Sequence, residues 1–165
     1  MTGIPTNHIE DAHKLQADGV IELYEIVPAI GSGTFRFKNE ADATWRGNLY
    51  AGLPVNFTNQ EISAEHGIQP PKIMIGAPNL DLSMFKPLVH SGALDGGTLT
   101  KLRVLLTDLV EDNLIRETMV YQIRQVTGYV RNQITLQLAL PSDGVGFTLP
   151  NRQYLPPDFP TVRLS

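Results

Sequence analysis

The side chains suited to metal binding or proton transfer are scattered along this chain. Histidine occurs four times, and the two nearest along the chain, His8 and His13, are five positions apart. Ligands that share one face of a helix are three or four positions apart. The sequence therefore predicts four exposed imidazoles rather than a metal site, at His8, His13, His66 and His90.

One local acidic group, formed by Asp108, Glu111 and Asp112, remains a candidate for chemistry. It lacks the alternating acidic order and the central glycine of a calcium loop. Two interpretations stay open, a metal or acid–base site and a solvated hairpin tip. A carboxylate pair for glycoside hydrolysis also stays open, because the fold sets the separation of such a pair.

The sequence contains no Gly-x-Ser-x-Gly nucleophile motif, no Gly-x-Gly-x-x-Gly dinucleotide motif, no phosphate-binding loop and no His-Glu-x-x-His zinc-protease motif. Gly31-Ser32-Gly33 is typical of a turn and does not match a dinucleotide fingerprint. The chain has no cysteine, which excludes disulfides, thiolate metal sites and a cysteine nucleophile on this chain. We expect no catalytic residue, no metal and no cofactor.

Composition narrows the class of partner. The chain has 165 residues, a net charge of −4 and 18% charged residues, without the basic stripe of a nucleic-acid binder. No apolar run approaches the roughly 20 residues of a membrane span, and the N-terminus does not resemble a signal peptide. We therefore expect one domain that binds no nucleic acid and crosses no membrane.

The segment 44–55, TWRGNLYAGLPV, is the element around which the other segments are arranged. It contains the only tryptophan, and the pattern predicts a tight hairpin. Trp45 ends one strand, Arg46-Gly47-Asn48 form the turn, and Tyr50 lies on the returning strand. Gly47 and Asn48 tolerate the positive φ of short hairpins, and Pro54 redirects the chain. A cation–π contact of Arg46 with Trp45 is an alternative to an exposed arginine.

The remaining periodicity predicts a mainly β protein, a small antiparallel barrel or sandwich with one or two short helices. Helices are expected over 7–17 and, broken by Pro87, over 79–90. In the first strand, 20–27, Ile21, Leu23 and Ile26 are expected to face inward. The other predicted strands are 34–38, 55–58, 72–76, 98–108, 117–130 with a bulge at Gly128, and 132–140, and 109–116 is expected to be a hairpin connection.

The chain is expected to divide at Pro141. Residues 1–140 form the β-rich domain with its N-terminal helix, and residues 141–165 form a proline-rich extended arm. Such an arm suits docking on another copy of the protein or on a partner.

The series of segments along this chain resembles the series found in the minor tail protein L family of lambda-type long-tailed bacteriophages. Three segments carry the resemblance: 44–55, 71–79 in PPKIMIGAPNLD, and 144–155. The resemblance covers roughly residues 8–155. The matching residues are Trp45, Gly47, Tyr50, Pro54, Pro71, Ile73, Asn79, Phe147, Pro150, Arg152 and Leu155.

The resemblance implies a structural part of the phage tail tip, assembled in the host cytoplasm. It would lie between the distal tail protein and the central hub protein, in three copies around the hub. Better-known family members continue into a cysteine-bearing region that resembles an iron–sulfur site. This chain has no cysteine, so no cluster is carried over. The alternatives are a tail-associated cell-wall hydrolase and an assembly factor absent from the finished particle.

Overall fold

The computed structural model describes residues 19–63, 67–77, 79–114 and 116–140. Within them, eleven strands, two short α-helices and one 3-10 turn (Ser83–Phe85) follow one another. The helices are α1 (Lys86–His90) and α2 (Leu106–Val110). The strands are β1 (Val20–Val27), β2 (Phe35–Lys38), β3 (Ala43–Trp45), β4 (Asn48–Gly52), β5 (Val55–Thr58), β6 (Glu61–Ser63), β7 (Gly67–Gln69), β8 (Lys72–Gly76), β9 (Thr98–Leu105), β10 (Glu117–Val130) and β11 (Gln133–Ala139).

Nine of the described strands form one sheet in the order β3-β4-β2-β1-β9-β10-β11-β8-β5, and β6 and β7 form a separate hairpin. The prediction of a mainly β fold with one or two short helices is confirmed, although the helix Leu106–Val110 was not among the predicted ones. The sheet is open, with β3 and β5 at its edges, so it is not a closed barrel. The expectation of antiparallel pairing throughout is wrong at one place, because β2 and β4 pair in parallel.

Gly52 permits this parallel contact by bringing two backbone segments close together. A Cβ at Gly52 would lie 2.0 Å from the carbonyl oxygen of Glu40. The Gly52 N–H donates to Asp42 Oδ1 at 2.6 Å, and the Leu53 N–H donates to Lys38 O at 2.9 Å. Only glycine can occupy this position without moving the 40–42 backbone.

Both faces of the sheet bury apolar side chains, in two separate clusters. The larger cluster includes Tyr24, Ile26 and Phe37, and the smaller one consists of Leu23, Trp45, Tyr50, Leu102 and Val104. Because Leu23 and Tyr24 point to opposite faces, β1 is buried on both sides along its middle. The expectation that Leu23 and Ile26 share one inner face is therefore wrong.

The helical predictions had mixed outcomes. The broken helix over 79–90 is a 3-10 turn followed by α1, and Pro87 lies in the first turn of α1, where its missing N–H costs nothing. The strand predicted over 98–108 ends at Leu105, and the connection predicted over 109–116 begins within α2. The helix predicted over 7–17 lies outside the described residues, as does the arm from Pro141.

The long strands at the centre follow the sequence closely. β10 spans Glu117–Val130 as predicted, and its register against β11 shifts between Val126 and Gly128, where the bulge was expected. β11 then pairs with β8, and β8 with β5. These pairings bring the segments 44–55 and 71–79 to neighbouring positions in the fold.

Candidate interaction site

The β3–β4 hairpin turns through two residues, Arg46 and Gly47, whose φ angles are 53° and 71°. Trp45 pairs with Asn48, so Asn48 belongs to β4. The predicted turn of three residues, Arg46 to Asn48, is therefore one residue too long. Positive φ angles occur at Arg46 and Gly47, and not at Asn48. Two consecutive left-handed residues match the right-handed twist of the flanking strands.

Trp45 fixes this hairpin to the loop that follows α2. Its side chain is 3% exposed, and its indole N–H donates to the carbonyl oxygen of Asn113 at 3.0 Å. Its ring lies 6.5 Å from the ring of Tyr50, and the Arg116 guanidinium lies 5.7 Å from its centroid. The tryptophan thus combines apolar burial with a hydrogen bond and a cation–π contact.

Arg46 makes a second connection to the same loop, and this connection is polar. Its N–H donates to Asp112 Oδ1 at 2.5 Å, and its guanidinium donates to Asp112 O at 3.1 Å. Asp112 also has a positive φ, 58°. The prediction of an exposed arginine is confirmed, because the Arg46 side chain is 46% exposed and bonds to Asp112, and the cation that lies near the Trp45 ring is Arg116.

Tyr50 connects the hairpin to the strands beneath it. Its hydroxyl donates to Glu25 Oε1 at 2.6 Å, and Arg36 Nε donates to the same oxygen at 3.0 Å. Burial, together with the hydrogen bond to Glu25, raises the pKa of Tyr50 well above its ordinary value.

The acidic group of the sequence is part of this junction and does not converge on one point. Asp108 is 5% exposed, within α2, and the Asn113 amide donates to Asp108 Oδ1 at 3.1 Å and to Glu111 Oε2 at 2.9 Å. Asp112 is engaged by Arg46 instead. In the described part of the chain, no three His, Cys, Asp or Glu side chains are grouped as a metal would require. The solvated-tip interpretation is wrong for Asp108, because this residue lies inside a helix that packs on the sheet.

A buried ion pair joins β1 and β9 on the face of the sheet opposite the Trp45 cluster. Lys101 is 6% exposed, and its Nζ lies 2.7 Å from Glu22 Oε1 and 4.4 Å from the centroid of the Phe57 ring. The Tyr24 hydroxyl donates to Glu22 Oε2 at 2.6 Å. Burial acts to raise the pKa of Glu22, but the hydrogen bonds from Lys101 and Tyr24 outweigh it and lower that pKa.

This ion pair borders a cleft between β5 and the start of β1, which we call the seam cleft. Its volume is about 280 Å³. Its walls carry both polar and apolar side chains, so it is not a purely apolar ligand pocket. The lining residues are Val20, Ile21, Glu22, Tyr24, Lys38, Asn39, Glu40, Val55, Asn56 and Phe57.

The remaining residues of the resemblance lie around β5 and β8. Pro54 is exposed, and its carbonyl accepts from the Gly76 N–H at 3.0 Å. Pro71 is buried, and its carbonyl accepts from the Leu138 N–H at 2.8 Å. Asn79 is exposed in a turn. Pro150 and Arg152 lie outside the described residues, as do His8, His13 and His66, and His90 is exposed at the end of α1.

Sequence reasoning missed the ion pair and the loop that receives Trp45. In TLTKLRVLL, Lys101 and Arg103 share one parity with Leu99 and Leu105. Nothing in this pattern distinguishes the buried Lys101 from Arg103, which pairs with Glu117 and is partly exposed. Likewise, no signal singles out Asn113 or Arg116, since the contacts that they make join segments more than 60 residues apart.

Alkaline titration tests the tyrosine environments. The pKa values of Tyr24, Tyr50 and Tyr121 are raised, chiefly by burial and secondly by neighbouring carboxylates. We expect tyrosinate absorbance from these three only well above pH ~10, the unfolded value. Because the native state retains protons that the unfolded chain loses there, the free energy of unfolding should fall as pH rises above ~10. Replacing Tyr50 with phenylalanine should remove part of that fall. Tyrosinate absorbance from all five tyrosines near pH 10 in the folded protein would contradict this expectation.

No known protein family matches this sequence, and no curated protein matches it either. None of the helices in the described residues is long and apolar enough to cross a membrane. The architecture is thus that of an open, mixed β-sheet protein whose sequence-predicted residues Trp45 and Tyr50 hold a hairpin against one face of the sheet.

Proposed function

We propose that this chain is a structural, non-enzymatic component of the tail tip of a long-tailed bacteriophage. It would link the distal tail protein to the central hub protein, with three copies around the hub, in the assembled virion. The proposal rests on the ordered segments that resemble the minor tail protein L family.

One structural observation supports this proposal most directly. The two described segments of the resemblance, 44–55 and 71–79, are adjacent in the fold, joined by the Gly76 N–H bond to Pro54 O and by the pairing of β5 with β8. Trp45 and Tyr50 are buried, at 3% and 1% exposure. The two segments therefore meet where β4 leads into β5, although Trp45 and Tyr50 pack in the smaller cluster and Ile73 packs in the larger one. This contact between them supports a common architecture.

The hairpin junction offers a surface for such contacts. Val110 and Leu114, which lie two positions to either side of Asp112 in the chain, are 78% and 59% exposed, and Leu49 is 61% exposed on the other face of the β3–β4 hairpin. Exposed apolar groups of this kind, beside charged side chains, are typical of protein–protein contact surfaces.

The test is an inventory of purified particles of the phage that encodes this chain. Quantitative mass spectrometry should find the chain in particles and in isolated tails, in a 1:1 ratio to the hub protein. Heads separated from tails serve as the control and should lack it. Its absence from tails would overturn the proposal and favour an assembly factor. Clearing of cell walls by the purified protein, abolished by one acidic substitution, would favour the hydrolase.

A further inference from the structure

Two exposed surfaces of different character lie at opposite ends of β10. Segment 110–114, which follows α2, lies shortly before Glu117, where β10 begins. The turn after Val130, where β10 ends, lies beside the 3-10 turn, because the Leu82 N–H donates to Arg131 O at 2.9 Å. A strand of 14 residues spans up to about 45 Å. The two surfaces are therefore far apart on one chain.

The first surface combines exposed apolar side chains with a carboxylate that has no cationic partner. Val110 and Leu114 are 78% and 59% exposed. Asp112 pairs with Arg46. Glu111 is exposed as well, and no Lys or Arg of the described residues forms an ion pair with it. We call this surface the 110–114 loop; its residues are Val110, Glu111, Asp112, Asn113 and Leu114.

The second surface is a groove of about 550 Å³, a volume that holds several side chains. Val130 is 56% exposed at this groove. Arg131 Nη2 lies 3.1 Å from Asp81 Oδ2, so this cation already has a partner. Lys86 is exposed and forms no ion pair within the described part of the chain. We call it the Lys86 groove; it is lined by Asp81, Ser83, Lys86, Tyr129, Val130 and Arg131.

The 110–114 loop and the Lys86 groove are complementary in charge and in polarity. Each exposes apolar surface beside one charge that lacks an opposite partner, Glu111 on the loop and Lys86 in the groove. Burial of apolar side chains drives association, and opposite charges across a contact select the correct partner. Because the length of β10 separates the two surfaces, the groove is out of reach of the loop of its own chain. A second copy of the chain is therefore the partner that fits.

We propose that the 110–114 loop of one copy docks in the Lys86 groove of a second copy. Val110 and Leu114 then cover Val130 of the neighbouring copy. The Glu111 carboxylate pairs with the neighbouring Lys86 ammonium. Since two different surfaces meet, the contact is head-to-tail, and each copy keeps a free loop or groove until a ring closes. The inference rests on the proposed function only in treating the hairpin junction as a contact surface.

Charge reversal tests this contact in the isolated full chain. Sedimentation velocity of the wild-type chain should show association that increases with concentration up to about 1 mM. Lys86→Glu and Glu111→Lys should each raise the dissociation constant at least about tenfold, because two like charges then meet. The double variant should return to within about threefold of the wild type, since its charges are exchanged and again opposite.

A mixture of the two single variants separates a contact between chains from one within a chain. An equimolar mixture of Lys86→Glu and Glu111→Lys should associate as the double variant does, because each reversed side chain then meets an opposite charge on the other chain. Lys72→Glu is the matched control for net charge. Lys72 is exposed on β8 and forms no ion pair among the described residues, so this variant should associate like the wild type.

The apolar part of the contact has its own pair of variants. Val110→Ser should weaken association several-fold, because Val110 becomes buried in the groove. Val120→Ser, which is 44% exposed on β10 itself, should leave association unchanged. A wild-type chain that stays monomeric, single charge variants that associate like the wild type, a double variant no better than the singles, or an equal loss in Lys72→Glu would each overturn the proposal. None of these results bears on the particle inventory, which decides the proposed function separately.

Discussion

Replacing Trp45 with alanine is expected to lower the free energy of unfolding by about 3–5 kcal/mol. The side chain is 3% exposed and fills the smaller cluster together with Leu23 and Tyr50. The substitution leaves a cavity there and leaves the Asn113 carbonyl without its indole donor. Urea unfolding at constant m-value measures the loss.

Leu49 provides a matched control on the same hairpin. It follows Asn48 on β4, and its side chain is 61% exposed on the face away from the cluster. Leu49→Ala should therefore change the free energy of unfolding by no more than about 0.5 kcal/mol. Trp45→Phe should retain most of the burial and lose only the N–H bond and part of the volume. Equal effects of Trp45→Ala and Leu49→Ala would contradict the docking of the hairpin.

The largest polar effect is expected from Glu22→Gln. This variant leaves the Lys101 ammonium, whose side chain is 8% exposed, without an anionic partner. We expect a loss of about 3 kcal/mol, the lower end of the range for breaking a buried pair, since the Glu22 side chain is 37% exposed. Lys101→Met should cost less, because the remaining carboxylate can reach water.

A double-mutant cycle separates the pair from its surroundings. Glu22→Gln combined with Lys101→Met should be more stable than Glu22→Gln alone, since the unpartnered buried charge is gone. Because the folded pKa of Glu22 is lowered, the stability it contributes is present above the unfolded value of about 4.3 and is lost as pH falls below it. Glu22→Gln should flatten that part of the pH profile. Additive single effects with an unchanged pH profile would count against the ion pair.

Local sequence patterns predicted the elements that depend on alternation over several residues. β10 extends from Glu117 to Val130 as expected, and one of its two register shifts lies between Val126 and Gly128, next to the glycine where a bulge was predicted. The other shift, between Ile123 and Gln125, was not predicted, because no glycine marks it. The turn at Gly47 was also predicted, but the pattern assigned Asn48 to it. Either neighbour of a glycine can satisfy a two-residue turn, and strand pairing across the hairpin decides between them.

The sequence by itself determined that this protein is mainly β and that the segment 44–55 is a hairpin that carries Trp45 and Tyr50. It also excluded disulfides and cysteine ligands on this chain, which has no cysteine. Only the tertiary structure decided what that hairpin contacts. Trp45 meets Asn113 and Arg116 across more than 60 residues, and Lys101 meets Glu22 across 79, so no local pattern encodes either contact. The open edge of β5 beside β1 likewise follows from the order of all nine strands, a global property of the fold.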